Sequence, residues 1–192
     1  RKAVWYALRR NGIPMAFPVR THMDYAPPSS RPQPDRPEIA ERLARIDLLA
    51  AVTPAGLEAI AAATRVHTFA KGETILRHGT AGDSMFVVHA GTVSVRVAES
   101  EVARLGEGDV FGEMALLTGE SRAADVVAMS DVVAIEIAKD ALQPVLRDHP
   151  ELAASISSKM MERRGSLDSL RNASSEETHH TVLSRIRAWF GL

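Results

Sequence analysis

Within FGEMALLTGESRAADVVA, residues 111–128, one acid and one arginine stand among small and apolar neighbours. Gly112 permits a sharp backbone turn. A helical turn beginning at Glu113 would then leave the N–H groups of Glu113, Met114, Ala115 and Leu116 pointing outward together. Geometry and helix dipole both favour an anion there. Arg122 would add a planar fork of donors suited to phosphate, a charge-assisted contact that contributes about 1.5–3 kcal/mol. Small residues at Ala115, Ala123 and Ala124 would let a ligand come close to the backbone. Glu113, acceptor-only when ionised, is unsuited to a phosphate and suited to a sugar hydroxyl. Phosphate donors, a carboxylate for a hydroxyl and apolar walls describe a pocket for a phosphorylated ribose. Asp125 fits none of this. Strand alternation turns it away from Arg122, yet a negative group so close would oppose an anion.

These residues need a scaffold that brings turns together, and the surrounding pattern supplies one. From Val66 the apolar period becomes two: TVSVRVA (92–98) alternates through Val93, Val95 and Val97, and VVAIEIA (132–138) through Val133, Ile135 and Ile137. Short apolar runs at 74–76 and 85–88 lie between, and glycines at 72, 79, 82, 91, 106, 108, 112 and 119 mark the corners. Short strands with glycine corners predict a small antiparallel barrel or jelly roll. Helical spacing flanks it. Leu43, Ile46 and Leu49 recur by three, and Thr53-Pro54 reads as an N-cap followed by proline at the first helical position, with Leu57, Ile60 and Ala61 as the buried stripe. Beyond Ala138, a short helix over 140–147 precedes a longer one from His149-Pro150. Its stripe runs through Leu152, Ile156, Met160, Arg163, Leu167 and Leu170, with Gly165 interrupting it.

The two ends of the chain differ from this middle. Residues 1–10 have helical spacing stopped by Asn11-Gly12, and IPMAFPVR follows as an extended piece that Pro14 and Pro18 confine to a sheet edge. Residues 21–37 hold Pro27, Pro28, Pro32, Pro34 and Pro37 and read as a semi-stiff solvated linker. NASSEETHH is a polar spacer, and in the closing TVLSRIRAWFGL the side chains of Leu183, Ile186 and Phe190 share a face away from Arg185. Trp189 and Phe190 could dock on a membrane or a partner, or the helix could pack on its own domain.

Bulk properties narrow the classes. The 192 residues are 45% hydrophobic and 24% charged, ordinary for a soluble globular chain. A net charge of −1 gives no general electrostatic reason to bind nucleic acid or an anionic membrane. With no cysteine there is no disulfide or thiolate chemistry. The seven histidines are scattered, none has ligand spacing with an acid partner, and Glu113 alone is no general-base constellation, so neither a metal site nor an enzyme is expected. No apolar run reaches about 18 residues, so nothing here spans a bilayer. The chain opens on Arg1 without a signal-peptide pattern and reads as a piece of a longer protein.

The stretch 111–128 resembles the phosphate-binding cassette of cyclic-nucleotide-binding domains: Phe-Gly-Glu, two or three apolar residues, a short loop, then Arg-Ala/Thr-Ala. KGETILRHGTAGDSMFVVHAGTVSV (71–95) is similar to that family's Gly-Glu, Gly-x-x-Gly-Asp and Gly-x-Val punctuation. The resemblance covers about residues 40–170. It implies an α+β fold, an antiparallel β jelly-roll barrel flanked by N- and C-terminal helices, over residues 38–172. It implies no cofactor or metal, and a ligand, cyclic AMP or cyclic GMP, held by Gly112, Glu113, Met114, Ala115, Leu116, Arg122, Ala123 and Ala124. Threonine after the arginine favours cyclic GMP in the family, and Ala123 here tilts the expectation to cyclic AMP. The family's final helix folds over the base as a lid, which makes Met160 and Arg163 candidates to touch the purine unless their stripe packs on the barrel.

VWYALRRNGIPMAFPVRT (4–21) is similar to the C-terminal end of the small-conductance mechanosensitive channel family, where a helix ending in Arg-x-Gly leads to a proline-rich strand of the cytosolic vestibule. LSRIRAWFGL (183–192) resembles the tail of members that carry a cyclic-nucleotide domain. These resemblances imply that 1–20 close a vestibule domain, 21–37 link it to the nucleotide domain, and 173–192 form a spacer and tail helix. The implied setting is the cytoplasmic side of the inner membrane. The implied partners are the nucleotide, the pore and vestibule of the same chain, and further copies in a ring, with no nucleic acid. A transcription regulator would need a helix-turn-helix after the lid, and about twenty residues after Arg171 are too few. A kinase regulatory subunit would more often show two cassettes and a pseudosubstrate segment, and neither is present.

Overall fold

The computed structural model describes residues 34–98, 100–158, 161 and 179–192. The expected vestibule end (1–20), most of the linker, and Met160 and Arg163 lie outside the described residues.

Helix α1 (Arg36–Ala44) starts where Asp35 accepts a hydrogen bond from the Glu38 N–H at 2.9 Å. Asp35 and Pro37, expected to end the linker, instead cap the helix and enter its first turn. Proline suits that turn because its φ is already helical and the N–H it lacks would have had no partner. A 3-10 turn (Asp47–Leu49) leads to helix α2 (Pro54–Ala63), whose cap is Thr53, with Oγ1 accepting from the Gly56 N–H at 3.2 Å. Replacing Thr53 with alanine is expected to cost about 1 kcal/mol of stability, seen as a lower urea midpoint at constant slope. An unmoved midpoint would show that the cap contributes nothing.

Eight strands follow: β1 (Arg65–Phe69), β2 (Thr74–Leu76), β3 (Ser84–Ala90), β4 (Val93–Val97), β5 (Ser100–Leu105), β6 (Val110–Phe111), β7 (Asp125–Ala128) and β8 (Val132–Ala138). They form two four-stranded sheets, ordered β1-β8-β3-β6 and β2-β7-β4-β5, and every pairing is antiparallel. This is the expected jelly roll. Helix α3 (Glu113–Thr118) is inserted between β6 and β7. Helix α4 (Lys139–Asp148), helical residues 152–158 and tail helix α5 (His179–Phe190) come after the barrel.

Two cores share the first sheet. On one face Met85, Val87, Ile135 and Ile137 pack with Leu43, Ile60, Leu142 and Leu146 of the helices. On the other, Phe86, Val88, Val132 and Ala134 meet Phe111, Val93 and Val126 inside the barrel. Strand β8 is therefore buried on both faces rather than half exposed, because helices cover the outside of its sheet. The tail helix joins the helical core: Val182, Ile186 and Phe190 are fully buried. Of the alternatives open for Trp189 and Phe190, the structure shows packing on the domain itself.

Candidate functional site

Gly112 has φ +80°, a left-handed geometry that glycine adopts freely, and it turns the chain from β6 into α3. The first i→i−4 contact of α3 runs from Leu116 N–H to the Gly112 carbonyl at 3.4 Å. The N–H groups of Glu113, Met114 and Ala115 belong to the first turn and have no such carbonyl within the helix. A cavity of about 320 Å³ opens at this end. That is within the span of about 300–1,000 Å³ usual for small-molecule sites.

Seven of the eight sequence-predicted residues line this one cavity: Gly112, Glu113, Met114, Ala115, Arg122, Ala123 and Ala124. Its opposite wall is apolar, built by Leu76, Val95, Ala103, Leu105 and Val126 of the second sheet. Leu116 is the exception. It is fully buried in the helical core and does not line the cavity. A helix this short needs Leu116 and Leu117 as its anchors, so the apolar run Met114–Leu117 divides between the two faces.

Arg122 lies in the loop three residues before β7 rather than on the strand. It is 6% exposed. Its Nη1 donates to the carbonyls of Ser84 (2.5 Å) and Gly112 (2.8 Å), and its Nη2 donates to Ser84 Oγ (3.2 Å). A guanidinium has five N–H donors, so three are spent on holding the side chain and two remain for an anion. Burial lowers the Arg122 pKa from its ordinary value, opposed by the charges of Asp83, Glu136 and Glu113. Arginine stays cationic through such a shift. Glu113 is itself buried at the cavity edge, 8% exposed.

The backbone of Arg122 is pinned as firmly as its side chain. Gly79 N–H donates to the Arg122 carbonyl and Arg122 N–H to the Thr80 carbonyl, both at 2.8 Å. The same loop brings Gly82 flat against the guanidinium, where a Cβ would fall 2.2 Å from Nε and 2.4 Å from Cζ. Asp125 now has a structural role. Its Oδ1 accepts from the His78 N–H at 2.8 Å, which fastens the start of this loop to the start of β7. It does not line the cavity.

Sequence reasoning assigned no role to Ser84 or Asp109. Ser84 follows the Gly82-Asp83 pair already noticed as punctuation, and its part in holding Arg122 needs a contact across 38 positions. Asp109 lines the cavity while its Oδ2 accepts from Gly106 N–H at 2.8 Å, a local turn signal that Gly-Glu-Gly-Asp spacing could have suggested. Among the described residues no group of three or more histidines and acids could hold a metal ion, and no helix is long and apolar enough to cross a membrane.

Residues 66–149 match the family model of the cyclic nucleotide-binding domain. A cyclic nucleotide-gated potassium channel of Mesorhizobium japonicum is 38% identical over 123 residues, 64% of this chain and 34% of the channel. A cAMP-dependent protein kinase regulatory subunit of Hypocrea atroviridis is 35% identical over 104 residues, 54% of this chain and 22% of the subunit. The chain spans about a third or less of the length of these relatives. The solved structure of cAMP-bound PfPKA-R (141-441) superposes with a TM-score of 0.62 at 21% identity, covering 71% of this chain and 46% of the other. The barrel with its flanking helices has the cyclic nucleotide-binding fold. It is related to domains of both channels and kinase regulatory subunits.

Proposed function

We propose that this domain is a regulatory module that binds a cyclic nucleotide, cyclic AMP in preference to cyclic GMP, and gates a mechanosensitive-type ion channel. The observation that carries the ligand reading is the convergence of Arg122, the first-turn N–H groups of α3 and the Glu113 carboxylate on one apolar-walled cavity. Two guanidinium donors and the N–H groups hold the cyclic phosphate, Glu113 takes a ribose hydroxyl, and Leu76, Val95 and Leu105 flank the base. Ala123 offers no hydroxyl to a guanine, which favours adenine. Titration calorimetry with each nucleotide tests this: cyclic AMP is expected to bind more tightly than cyclic GMP, and equal or reversed affinities would remove the preference.

The Asp125 anchor provides a finer test. Asp125→Ala is expected to weaken cyclic AMP binding about three- to tenfold, in line with a hydrogen bond contributing about 0.5–1.5 kcal/mol. Asp125→Asn keeps an acceptor for the His78 N–H and is expected to bind no more weakly than the unmodified chain. Tighter binding in both variants would show that the carboxylate acts on the ligand's charge instead.

The gating reading is supported by the channel relative and by the vestibule-like pattern at 4–21, which lies outside the matched segment. Nucleotide binding orders the cassette and closes a lid helix, with Met160 and Arg163 as lid candidates. The shift passes through residues 36–64 and the linker to the pore. The ligand biases the pore only by its differential affinity for open and closed states. The role is regulatory rather than catalytic, in a ring of copies at the cytoplasmic face of the inner membrane. The kinase relative favours a second reading, a regulatory subunit. The sequence encoded ahead of Arg1 separates the two: apolar runs long enough to span a bilayer support the channel, and their absence removes it.

A further inference from the structure

The cassette helix α3 has two ends, and the structure uses both. Its N-terminal end faces the cavity. At its C-terminal end the last carbonyls need partners from outside the helix. The Trp189 indole Nε1–H of tail helix α5 donates to the Leu116 carbonyl at 2.8 Å. One residue past the helix, the Trp189 ring lies so close to Gly119 that a Cβ there would sit 2.7 Å from it. Glu120 then pairs with Arg185 of α5 at 2.5 Å. A second route links the same tryptophan to the arginine loop. Lys139 Nζ lies 3.5 Å above the Trp189 ring centroid, and the Lys139 N–H donates to the Asp83 carbonyl at 2.8 Å. Residue 83 lies between Gly82 and Ser84, both in contact with the Arg122 side chain.

We propose that the surface formed by the C-terminal end of α3 and the start of α4 is a docking site for the chain's own tail helix, and that docking there is energetically coupled to occupancy of the cavity at the other end of α3. The inference rests on the nucleotide reading given above. Val182, Ile186 and Phe190 supply the anchorage, since all three are fully buried. Trp189 supplies the coupling, since it touches the cassette helix, its following glycine and the lysine tied to the arginine loop. With the tail docked, α3 is held in the orientation that presents its first-turn N–H groups to the cavity, so docking favours binding. By linkage the nucleotide must favour docking by the same factor. The tail thereby becomes an output: whatever chain or membrane surface borders it experiences a helix whose hold on the domain depends on ligand.

The test uses the full 192-residue chain with Trp5→Phe, which leaves Trp189 as its single tryptophan. Cyclic AMP is titrated by calorimetry and by Trp189 emission in parallel. The expected result is a saturable emission change with the same midpoint as the heat. Trp189→Phe, which keeps an apolar ring and loses the indole N–H, is expected to weaken cyclic AMP binding about fivefold, at the low end of the range for coupled sites. Trp189→Ala is expected to weaken it further. Binding within twofold of the unmodified chain in both variants, or tighter binding, overturns the coupling while leaving the nucleotide reading intact. An emission that stays constant through a full calorimetric titration does the same. No heat with the unmodified chain overturns the nucleotide reading and this inference with it.

Discussion

Replacing Arg122 with alanine is expected to raise the cyclic AMP dissociation constant by about 100-fold or more. Each hydrogen bond from a charged donor contributes about 1.5–3 kcal/mol, and the loss of two such contacts to a phosphate exceeds the 2.7 kcal/mol that a hundredfold change represents. The same substitution removes the donor that the Ser84 and Gly112 carbonyls share. Losing charge-assisted contacts to buried acceptors costs stability as well, so a lower thermal midpoint accompanies the weaker binding. Arg122→Lys separates the two effects. It keeps the charge but cannot hold two carbonyls and a phosphate with one planar fork. It is expected to lose about tenfold in affinity while retaining more stability than the alanine variant. Unchanged affinity in Arg122→Ala would mean that the cavity does not bind a phosphate through this residue.

The second large effect is expected at a residue that touches no ligand. Gly82→Ala places a Cβ 2.2 Å from Arg122 Nε and 2.4 Å from Cζ, far inside contact distance. Backbone conformation does not forbid alanine here, because Gly82 is not among the glycines with positive φ. The guanidinium is the far end of a flexible side chain, so it moves rather than the barrel. Affinity for cyclic AMP is therefore expected to fall about 30-fold or more, and the thermal midpoint to fall by no more than in Arg122→Ala, because the displaced guanidinium strains its contacts to the Ser84 and Gly112 carbonyls. A variant that binds as well as the unmodified chain would show that the arginine does not need its present position. A variant that unfolds would place the loop in the stability of the barrel rather than in the site.

Much of the site was legible because its chemistry is local. Gly112, Glu113 and the small residues around Arg122 occupy one short segment, and glycine, carboxylate and guanidinium each admit few roles at such spacing. The jelly roll was legible for a similar reason, since alternating strands and glycine corners both leave marks on the sequence. What could not be read depends on distant pairings. Asp125 has no local partner that its sequence neighbours reveal, because the His78 N–H it accepts from lies 47 positions upstream. Trp189 reaches back 73 positions to the Leu116 carbonyl, and nothing local distinguishes it from a membrane anchor. Leu116 was misplaced because four consecutive apolar residues carry no period that says which of them face a ligand. Strand β5, SEVARL, carries a weak apolar alternation, because only Ala103 and Leu105 face the cavity while Ser100 and Glu101 are exposed at its start, beside β4 at the sheet edge. Its place comes entirely from that pairing.

The gating proposal asks the domain to convert occupancy into movement, and the two ends of α3 show how a small cassette could do so. Ligand contacts at its N-terminal end and tail contacts at its C-terminal end act on one rigid element of six residues. Either set of contacts can bias the other without a wide rearrangement of the barrel, whose two cores on either side of β3 and β8 resist deformation.

The most direct measurement is a calorimetric titration of the full chain with cyclic AMP, run beside Arg122→Ala. The expected result is one site per chain, micromolar or tighter, with the heat lost in the variant over the same concentration range. Equal binding curves for the two proteins, or no heat from the unmodified chain at millimolar nucleotide, would contradict the assignment of this cavity to a cyclic nucleotide.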